Sequence, residues 1–279
     1  MGKRVRLAVL ATLVALLVTA CSFPNFISTQ VNQILNTRES LPSPTQDAAP
    51  NAIAATEGSS PSREINIHIF DRVVAIESES PAFIIEGTWP NLKGPETGVK
   101  TFNQEVDRII EDVQEEFLKA VKEQGPVQEG SGQAPISSLQ FDYEVTYEDG
   151  ILFSFFLRFD QYVAVSVHPY PFSHALNYDV DRDTFIAFKA LFLPGTDPHQ
   201  EIGNRVDAVL ASRNFGYEAS RAAEVMHQSD NWNLLPTGLR INFDVYEVGP
   251  YAAGPQAVVI PWESLTDLLD PTGPAGKMI

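Results

Sequence analysis

Residues 139–159, LQFDYEVTYEDGILFSFFLRF, hold the pattern that decides the fold. Apolar and polar side chains alternate from Leu139 to Tyr147 and again from Ile151 to Phe159, which is typical of strands with one buried face. The dipeptide Asp149-Gly150 lies between the two runs and favours a tight turn in which both residues have positive φ angles. The stretch therefore predicts an antiparallel β-hairpin.

The clearest helical pattern lies before this hairpin, between Val99 and Val121. Apolar residues recur there at steps of three and four, the spacing of one helix face, and a Gly-Pro pair ends the pattern. A second helix is predicted to start at Asp197, because aspartate is a good N-cap residue and Pro198 suits the first turn. Pro261 is predicted to open a short final helix.

Shorter apolar runs predict the remaining strands, which lie near residues 64–69, 82–86, 162–168, 174–181, 184–188, 238–246 and 258–260. Strands outnumber helices in this pattern. The predicted class is therefore α+β, with a mainly antiparallel sheet and one long helix and shorter helices packed on it.

The N-terminus has the pattern of a lipoprotein leader. Three basic residues precede an apolar run over residues 7–18, which is too short to cross a bilayer stably. The run ends in Val-Thr-Ala-Cys, which resembles the lipobox, where a diacylglyceryl group is attached to the cysteine before cleavage. Cys21 is the only cysteine, so it has no disulfide partner within the chain. We expect residues 1–20 to be a signal peptide and Cys21 to anchor an extracytoplasmic protein to a bacterial membrane.

Residues 21–62 separate this anchor from the globular region. They are rich in Ser, Thr, Pro, Asn, Gln and Ala, a composition typical of a flexible tether. A flexible chain of about 40 residues has an r.m.s. span of roughly 35 Å. The globular region is predicted in two parts, residues 63–175 and 176–279, that form one composite unit.

The charge balance restricts the class of partner. The chain has 36 acidic and 19 basic side chains, and removing the three basic leader residues from the net charge of −17 gives −20. Nucleic acid is excluded as a partner, because phosphate binding needs clustered Lys and Arg. A cationic protein would be attracted to this surface. The alternative, in which the acidic residues only confer solubility, remains open.

Two stretches of the sequence together resemble a known family. They are residues 89–94, WPNLKG, followed by the long helix, and residues 245–255, VYEVGPYAAGP. They resemble the RsiV/PdaC-type domain, found as the extracellular domain of the lysozyme-sensing anti-sigma factor RsiV and the N-terminal region of the peptidoglycan deacetylase PdaC. The resemblance covers most of residues 64–270 and implies a lysozyme-like protein or peptidoglycan as ligand.

The chain departs from this family pattern in two turns, at residues 166–169 and 181–184, so ligand contacts made by those turns do not carry over. The sequence offers no sigma-binding segment and no deacetylase domain. We therefore expect neither an anti-sigma role nor deacetylase activity.

Aromatic residues at predicted turns are the candidate binding residues. Loops commonly carry binding residues, and Tyr and Trp are frequent interface anchors. The alternative is that these rings only cover the core. The candidates near turns are Tyr170, Phe172, Trp232, Tyr246 and Tyr251, of which Tyr170, Phe172, Tyr246 and Tyr251 are taken as ligand-binding.

Motifs for catalysis or metal binding are weak. His168 and His174 flank a proline-rich turn, but the sequence offers no third ligand for zinc. Asp179, Asp181 and Asp183 have the spacing that opens a calcium loop, yet the glycine and the final glutamate of such a loop are missing, which favours an acidic hairpin turn. The sequence contains no nucleophile elbow, P-loop or dinucleotide motif. No catalytic residue, metal or cofactor is therefore predicted.

Three functions remain possible from the sequence. The leading hypothesis is a non-catalytic cell-envelope lipoprotein that binds or senses a cationic envelope protein such as lysozyme, or peptidoglycan. The second is an accessory or structural lipoprotein that holds another envelope protein in place. The third is a hydrolase of wall polymer, which would need a pair of carboxyl groups that sequence alone does not reveal.

Overall fold

The computed structural model describes residues 66–124, 135–229 and 231–278. The predicted signal peptide, Cys21 and the predicted tether lie outside the described residues. The strands are β1 His68–Glu79, β2 Ala82–Lys93, β3 Ser137–Glu148, β4 Leu152–Tyr162, β5 Tyr170–Asp179, β6 Thr184–Phe185, β7 Trp232–Leu235, β8 Gly238–Phe243 and β9 Gln256–Pro261. The α-helices are α1 Glu96–Glu123, α2 Pro198–Ser212 and α3 Arg221–Gln228.

The first sheet contains six strands in the order β1-β2-β3-β4-β5-β6. All neighbours are antiparallel except β2 and β3, which are parallel and are connected through α1. The apolar face of α1 packs on this sheet, where Phe102 and Phe117 are fully buried. The Phe102 ring lies 4.9 Å from that of Phe155 on β4. The predicted α+β class, with one long helix on a mainly antiparallel sheet, is confirmed.

A second sheet of three antiparallel strands, in the order β7-β8-β9, follows in the chain. It shares a separate apolar core with α2 and α3, to which Ile202, Leu210 and Met226 contribute from the helices. Asp197 is the N-cap of α2 as predicted, since its side chain accepts a hydrogen bond from the backbone N–H of Gln200. The short helices therefore cover the second sheet rather than the first.

A buried polar network joins the two sheets. The Ser154 hydroxyl donates to Oδ1 of Asn177 at 2.7 Å, and Nδ2 of Asn233 on β7 donates to Ser154 Oγ at 3.0 Å. Nδ2 of Asn177 also donates to the Trp232 carbonyl at 2.7 Å. These side chains are almost fully buried, and strand alternation points them away from α1. The second sheet therefore covers one end of the first sheet on the face opposite α1.

The predicted hairpin is confirmed as β3 and β4, but two details differ. The pairing register shifts between Val145 and Tyr147, which buries Thr146 and leaves Val145 38% exposed. Thr146 tolerates burial because its hydroxyl donates to Ser154 Oγ at 2.8 Å. The turn prediction was wrong for Asp149, because Gly150 alone takes a positive φ, of +87°.

Other differences concern the first strand and the short elements. The strand predicted near residues 64–69 overlaps only the start of β1, which runs over His68–Glu79. The strand predicted at residues 162–168 is wrong: β4 ends at Tyr162, and the backbone N–H of Ser166 donates to the Val163 carbonyl in a turn. Helix α3 and strand β7 were not predicted, and the helix expected after Pro261 is a single 3-10 turn. The predicted division between residues 175 and 176 falls inside β5. None of the described helices is both apolar and long enough to span a membrane.

Candidate functional site

Four aromatic rings form a partly exposed patch at the start of β5, which we name the aromatic surface. His168 comes from the loop before β5, Tyr170 is the first residue of β5, and Tyr246 and Tyr251 come from the loop between β8 and β9. The His168 and Tyr251 rings stack with centroids 3.7 Å apart, and the Tyr246 ring lies 5.6 Å from Tyr251. The Tyr246 hydroxyl lies 3.3 Å from Nε2 of His168. The Tyr251 hydroxyl donates to the Pro169 carbonyl at 2.7 Å and so ties the loop before β5 to the loop before β9.

Tyr170 connects this patch with acidic groups beneath it. Its ring is 46% exposed. Partial burial raises the pKa of the Tyr170 hydroxyl, and the nearby carboxylates of Asp244 and Glu247 raise it further. The tyrosine therefore stays protonated near neutral pH and presents a hydroxyl donor next to negative charge.

The conformation of Tyr246 is unusual for an aromatic residue. The Glu247 N–H donates to the Asp244 carbonyl, which closes a turn with Tyr246 at its third position and a φ of +70°. This left-handed conformation favours glycine or asparagine and costs about 1–3 kcal/mol in other residues. Val245 and Val248 are buried on either side of Tyr246, and Val248 belongs to the second core. The strained backbone directs Tyr246 outward, where it is 56% exposed.

Two half-buried carboxyl groups support the turn that carries Tyr246. Asp244 accepts hydrogen bonds from the hydroxyl of Ser173 at 2.6 Å and from its backbone N–H at 3.1 Å. Glu247 accepts from the Asp244 N–H at 2.6 Å. Burial raises the pKa of both carboxyl groups. Their contacts join β5 to the loop after β8 and hold the aromatic surface in place.

Two adjoining grooves lie next to the aromatic surface. The smaller has a volume of about 300 Å³ between the two sheets and is lined in part by Phe172, Asp244 and Pro255. The larger, about 530 Å³, runs across the exposed face of the first sheet. Arg158, Phe159 and Pro171 line both, so the two form one continuous concave surface. We name it the acidic groove.

The acidic groove carries net negative charge. Among the described residues that line it, five carboxylates face two arginines, so their formal charges sum to −3. Each arginine is already paired: Arg158 with Asp142 at 2.7 Å and Arg240 with Glu144 at 3.1 Å. The lining carboxylates are Glu86, Asp142, Glu144, Asp160 and Asp244. Such a lining attracts cationic groups.

The structure brings three of the predicted binding residues, Tyr170, Tyr246 and Tyr251, to one surface. Phe172 is half-buried and stacks on Phe159 at 4.9 Å, so it belongs mainly to the first core and lines only the edge of the groove. Trp232 is 3% exposed within the second core. Its expected exposure near a turn was wrong, because the residue begins β7 with its side chain in the core, and β7 is too short to recognise from its pattern.

His168 is the member of the aromatic surface that sequence reasoning did not identify as a binding residue. The sequence feature that could have identified it is its position before a proline in the loop Ser166-Val167-His168-Pro169. The pairing considered for it was with His174, which instead packs edge-on against Phe159 at 5.8 Å. The acidic segment after β5 forms a turn, in which Asp179 accepts hydrogen bonds from Arg182.

Metal-ligating atoms group at a different place, between α2 and α3. One ligand atom each from Asp197, His199 and His227 lies within 4.8 Å of the other two. Sequence reasoning missed this group because the two histidines are 28 positions apart and sit on helices of which only one was predicted.

Comparisons with known proteins identify the second half of the molecule. Residues 189–263 match the model of DUF3298, described as a protein of unknown function. A solved DUF3298 family structure from Bacteroides fragilis is 15% identical, with 77% of this chain and 97% of that chain covered at a TM-score of 0.55. One from Pseudomonas aeruginosa is also 15% identical, with 74% and 95% covered at 0.49. No curated protein sequence matches the chain. The chain thus contains a DUF3298 domain and shares its fold with the Bacteroides protein.

Proposed function

We propose that the protein is a non-catalytic lipoprotein of the bacterial cell envelope that binds a cationic protein of the lysozyme type. The observation that carries the proposal is the aromatic surface beside the acidic groove. Exposed tyrosines supply rigid contact area, and the carboxylates supply charge of the sign opposite to such a partner. The resemblance to the RsiV/PdaC-type domain supports the same class of ligand.

The strain at Tyr246 supports a binding role for this surface. An exposed ring on a residue held at a positive φ adds no stability to the core. Strained conformations of this kind cluster at ligand-binding positions. The buried side chains of Val245 and Val248 and the hydrogen bonds of Asp244 already hold the turn in one conformation. Binding would therefore cost little additional conformational entropy. The surface is therefore preorganised.

Peptidoglycan is the second candidate ligand. Tyr246 and Tyr251 present rings next to an elongated groove, and aromatic rings beside polar groups can hold sugar rings. A glycan without net positive charge would make little use of the groove carboxylates, so its binding would depend weakly on salt.

The test of the proposal is calorimetric titration of the full chain with lysozyme, beside a pull-down on purified peptidoglycan. We expect binding to lysozyme that weakens as salt rises from about 0.05 to 0.5 M. Tyr246→Ala should weaken it by at least about tenfold, since truncating a central aromatic anchor costs about 2 kcal/mol. Phe70→Ala is the matched control, because Phe70 is 38% exposed on β1, away from the surface.

The outcomes separate the candidates. Binding to peptidoglycan alone, with little salt dependence and loss in Tyr246→Ala, would replace the protein ligand by the glycan. Silence with both ligands would reject both and favour an accessory lipoprotein. Turnover of wall polymer that is abolished by changing one carboxyl group, such as Asp244→Asn, would overturn the non-catalytic assignment.

The lipid anchor is a separate part of the proposal and rests on the leader pattern before Cys21. The expected result is that the protein made in a bacterial host fractionates with membranes and incorporates labelled fatty acid. Cys21→Ser should lose the label and leave the membrane fraction. Retention of Cys21→Ser in membranes would indicate an anchor other than the thiol-linked lipid.

A further inference from the structure

We propose that Asp197, His199 and His227 form a binding site for a divalent transition-metal ion of the zinc type. The site lies where the start of α2 meets the end of α3. It is separate from the aromatic surface, and the inference does not rest on the proposed function.

The packing of the two helices brings the histidines together. A Cβ atom on Gly203 of α2 would lie 2.5 Å from Ala223 of α3, so the helices touch there at backbone distance. His199 precedes Gly203 by four residues and His227 follows Ala223 by four, which places each histidine one turn from the contact on the contacting face. Their rings lie with centroids 5.0 Å apart. The glycine is therefore what permits the histidine pair.

The donor set and its spacing fit a transition metal. Two imidazole nitrogens and a carboxylate oxygen are ligands that zinc accepts, whereas Mg²⁺ and Ca²⁺ prefer oxygen donors throughout. Ligands at about 2.0–2.1 Å from a tetrahedral ion stand about 3.3 Å from one another. The donor atoms here lie within 4.8 Å, so rotations of exposed side chains suffice to close the set. The fourth position would take water.

The surroundings orient the ligands and leave an entry path. His199 is 7% exposed, and its ring packs against the buried Phe188 at 4.9 Å. Asp197 and His227 are exposed, so an ion can reach the donors from solvent. The Gln200 N–H donates to Asp197 at 3.3 Å, and such outer hydrogen bonds commonly hold metal ligands in position.

One electrostatic effect opposes the site and is outweighed. Asp197 is the N-cap of α2, and a helix N-terminus carries a partial positive charge of about +0.5, which disfavours a cation. The carboxylate of Asp197 brings a full negative charge closer to the ion than the backbone dipoles are. All three ligands fall within residues 189–263, the stretch that matches DUF3298.

The experiment is calorimetric titration of the full chain, made without a histidine tag and stripped with chelator, with Zn²⁺ and separately with Mg²⁺. We expect one zinc ion per chain and no comparable uptake of Mg²⁺. His227→Ala should weaken zinc binding by more than the roughly 10–100-fold lost on removing an outer-shell partner. Asp197→Asn keeps a good N-cap residue and should also weaken binding. His68→Ala, an exposed histidine on β1, is the matched control.

Thermal unfolding supplies the second readout. Zinc should raise the melting temperature of the wild-type chain and of His68→Ala, because an ion that binds the folded state shifts the equilibrium toward it. At zinc concentrations that saturate the wild type, His227→Ala should stay close to its own metal-free melting temperature, because its zinc affinity is lower. The proposal is overturned by zinc uptake that His227→Ala and Asp197→Asn leave unchanged, by equal uptake of Mg²⁺, or by the absence of stoichiometric uptake.

Discussion

The two halves of the molecule are built from elements of different length. The first half, β1 to β6 with α1, contains strands of up to 12 residues and a 28-residue helix. The second half, from residue 186, uses strands of four to six residues and helices of 15 and 8 residues. Both halves bury an apolar core. The metal-ligating group lies wholly in the second half. The aromatic surface combines a loop of the second half with the start of β5, and the acidic groove is lined mainly by the long strands of the first half. Loops and helix ends therefore add functional groups to a surface that the long strands provide.

The largest expected effect comes from breaking the first core. Phe102→Ala should lower the free energy of unfolding by about 3–5 kcal/mol, because the ring is fully buried and lies 4.9 Å from Phe155 and 5.3 Å from Tyr178. Leu210→Ala is the counterpart in α2, is equally buried, and should cost about 2–5 kcal/mol. Urea denaturation measures both. A cost below about 1 kcal/mol for Phe102→Ala would contradict the packing of α1 on the sheet.

The difference in length explains many of the predicted and missed elements, although the 12-residue β1 was also misplaced. The 28 residues of α1 repeat their apolar spacing over many turns, and β3 and β4 alternate for most of their length. The register shift between Val145 and Tyr147 was not predicted, because it buries Thr146, a polar residue. The burial is tolerated because the Thr146 hydroxyl donates to Ser154. That partner lies on another strand. Helix α3 and strand β7 have too few residues for periodicity to distinguish them from loops.

The candidate site was predictable to a similar extent. Turn composition pointed to Tyr170, Tyr246 and Tyr251, since prolines and glycines around them mark loops. Composition does not reveal that the two loops meet, so it could not predict that the His168 ring stacks on the Tyr251 ring. The histidine pair between α2 and α3 depends on a close helix contact at Gly203, which only tertiary structure supplies.

The polar network between the halves offers the second prediction. Asn233 donates to Ser154 Oγ at 3.0 Å and to the Phe155 carbonyl at 2.8 Å, and it accepts from Asn242 at 2.9 Å. Asn233→Ala leaves its former partners on Ser154, Phe155 and Asn242 buried with one hydrogen bond fewer. Each buried group left unsatisfied costs about 1–3 kcal/mol. Thermal unfolding of Asn233→Ala, Ser154→Ala and the double variant should give a coupling energy of about 0.5–3 kcal/mol. Additive effects would contradict a shared network.

The third prediction concerns the close contact within the second half. Gly203→Ala places a methyl group 2.5 Å from Ala223 and should cost about 1–3 kcal/mol through overpacking, although alanine is the better helix former. Asn204→Ala, the exposed neighbour, should stay within about 0.5 kcal/mol of wild type. Denaturant unfolding measures both. An increase in stability for Gly203→Ala would show that the helices do not approach this closely.

The smallest expected effect is on the pH dependence of stability, which should differ between a half-buried carboxyl group, Asp244, and an exposed one, Asp270. Burial raises the pKa of Asp244, so its contribution to stability is present below the unfolded pKa and is lost as pH rises through the folded pKa. Relative to Asp244→Asn, whose amide oxygen can still accept from Ser173, wild type should therefore lose stability as pH rises above about 4. Asp244 also raises the pKa of Glu247, so its removal acts in the same direction.

Asp270 is the control of opposite sign. Its hydrogen bonds from Thr272 lower the pKa of this exposed carboxyl group, so its contribution is present above the unfolded pKa and is lost as pH falls. Relative to Asp270→Asn, wild type should gain stability as pH rises through the same range. Chemical denaturation of both pairs between about pH 3 and 7 tests the contrast. Parallel trends in the two pairs would mean that the carboxyl group of Asp244 is as well solvated as that of Asp270, and that the turn carrying Tyr246 is not held by a buried acid.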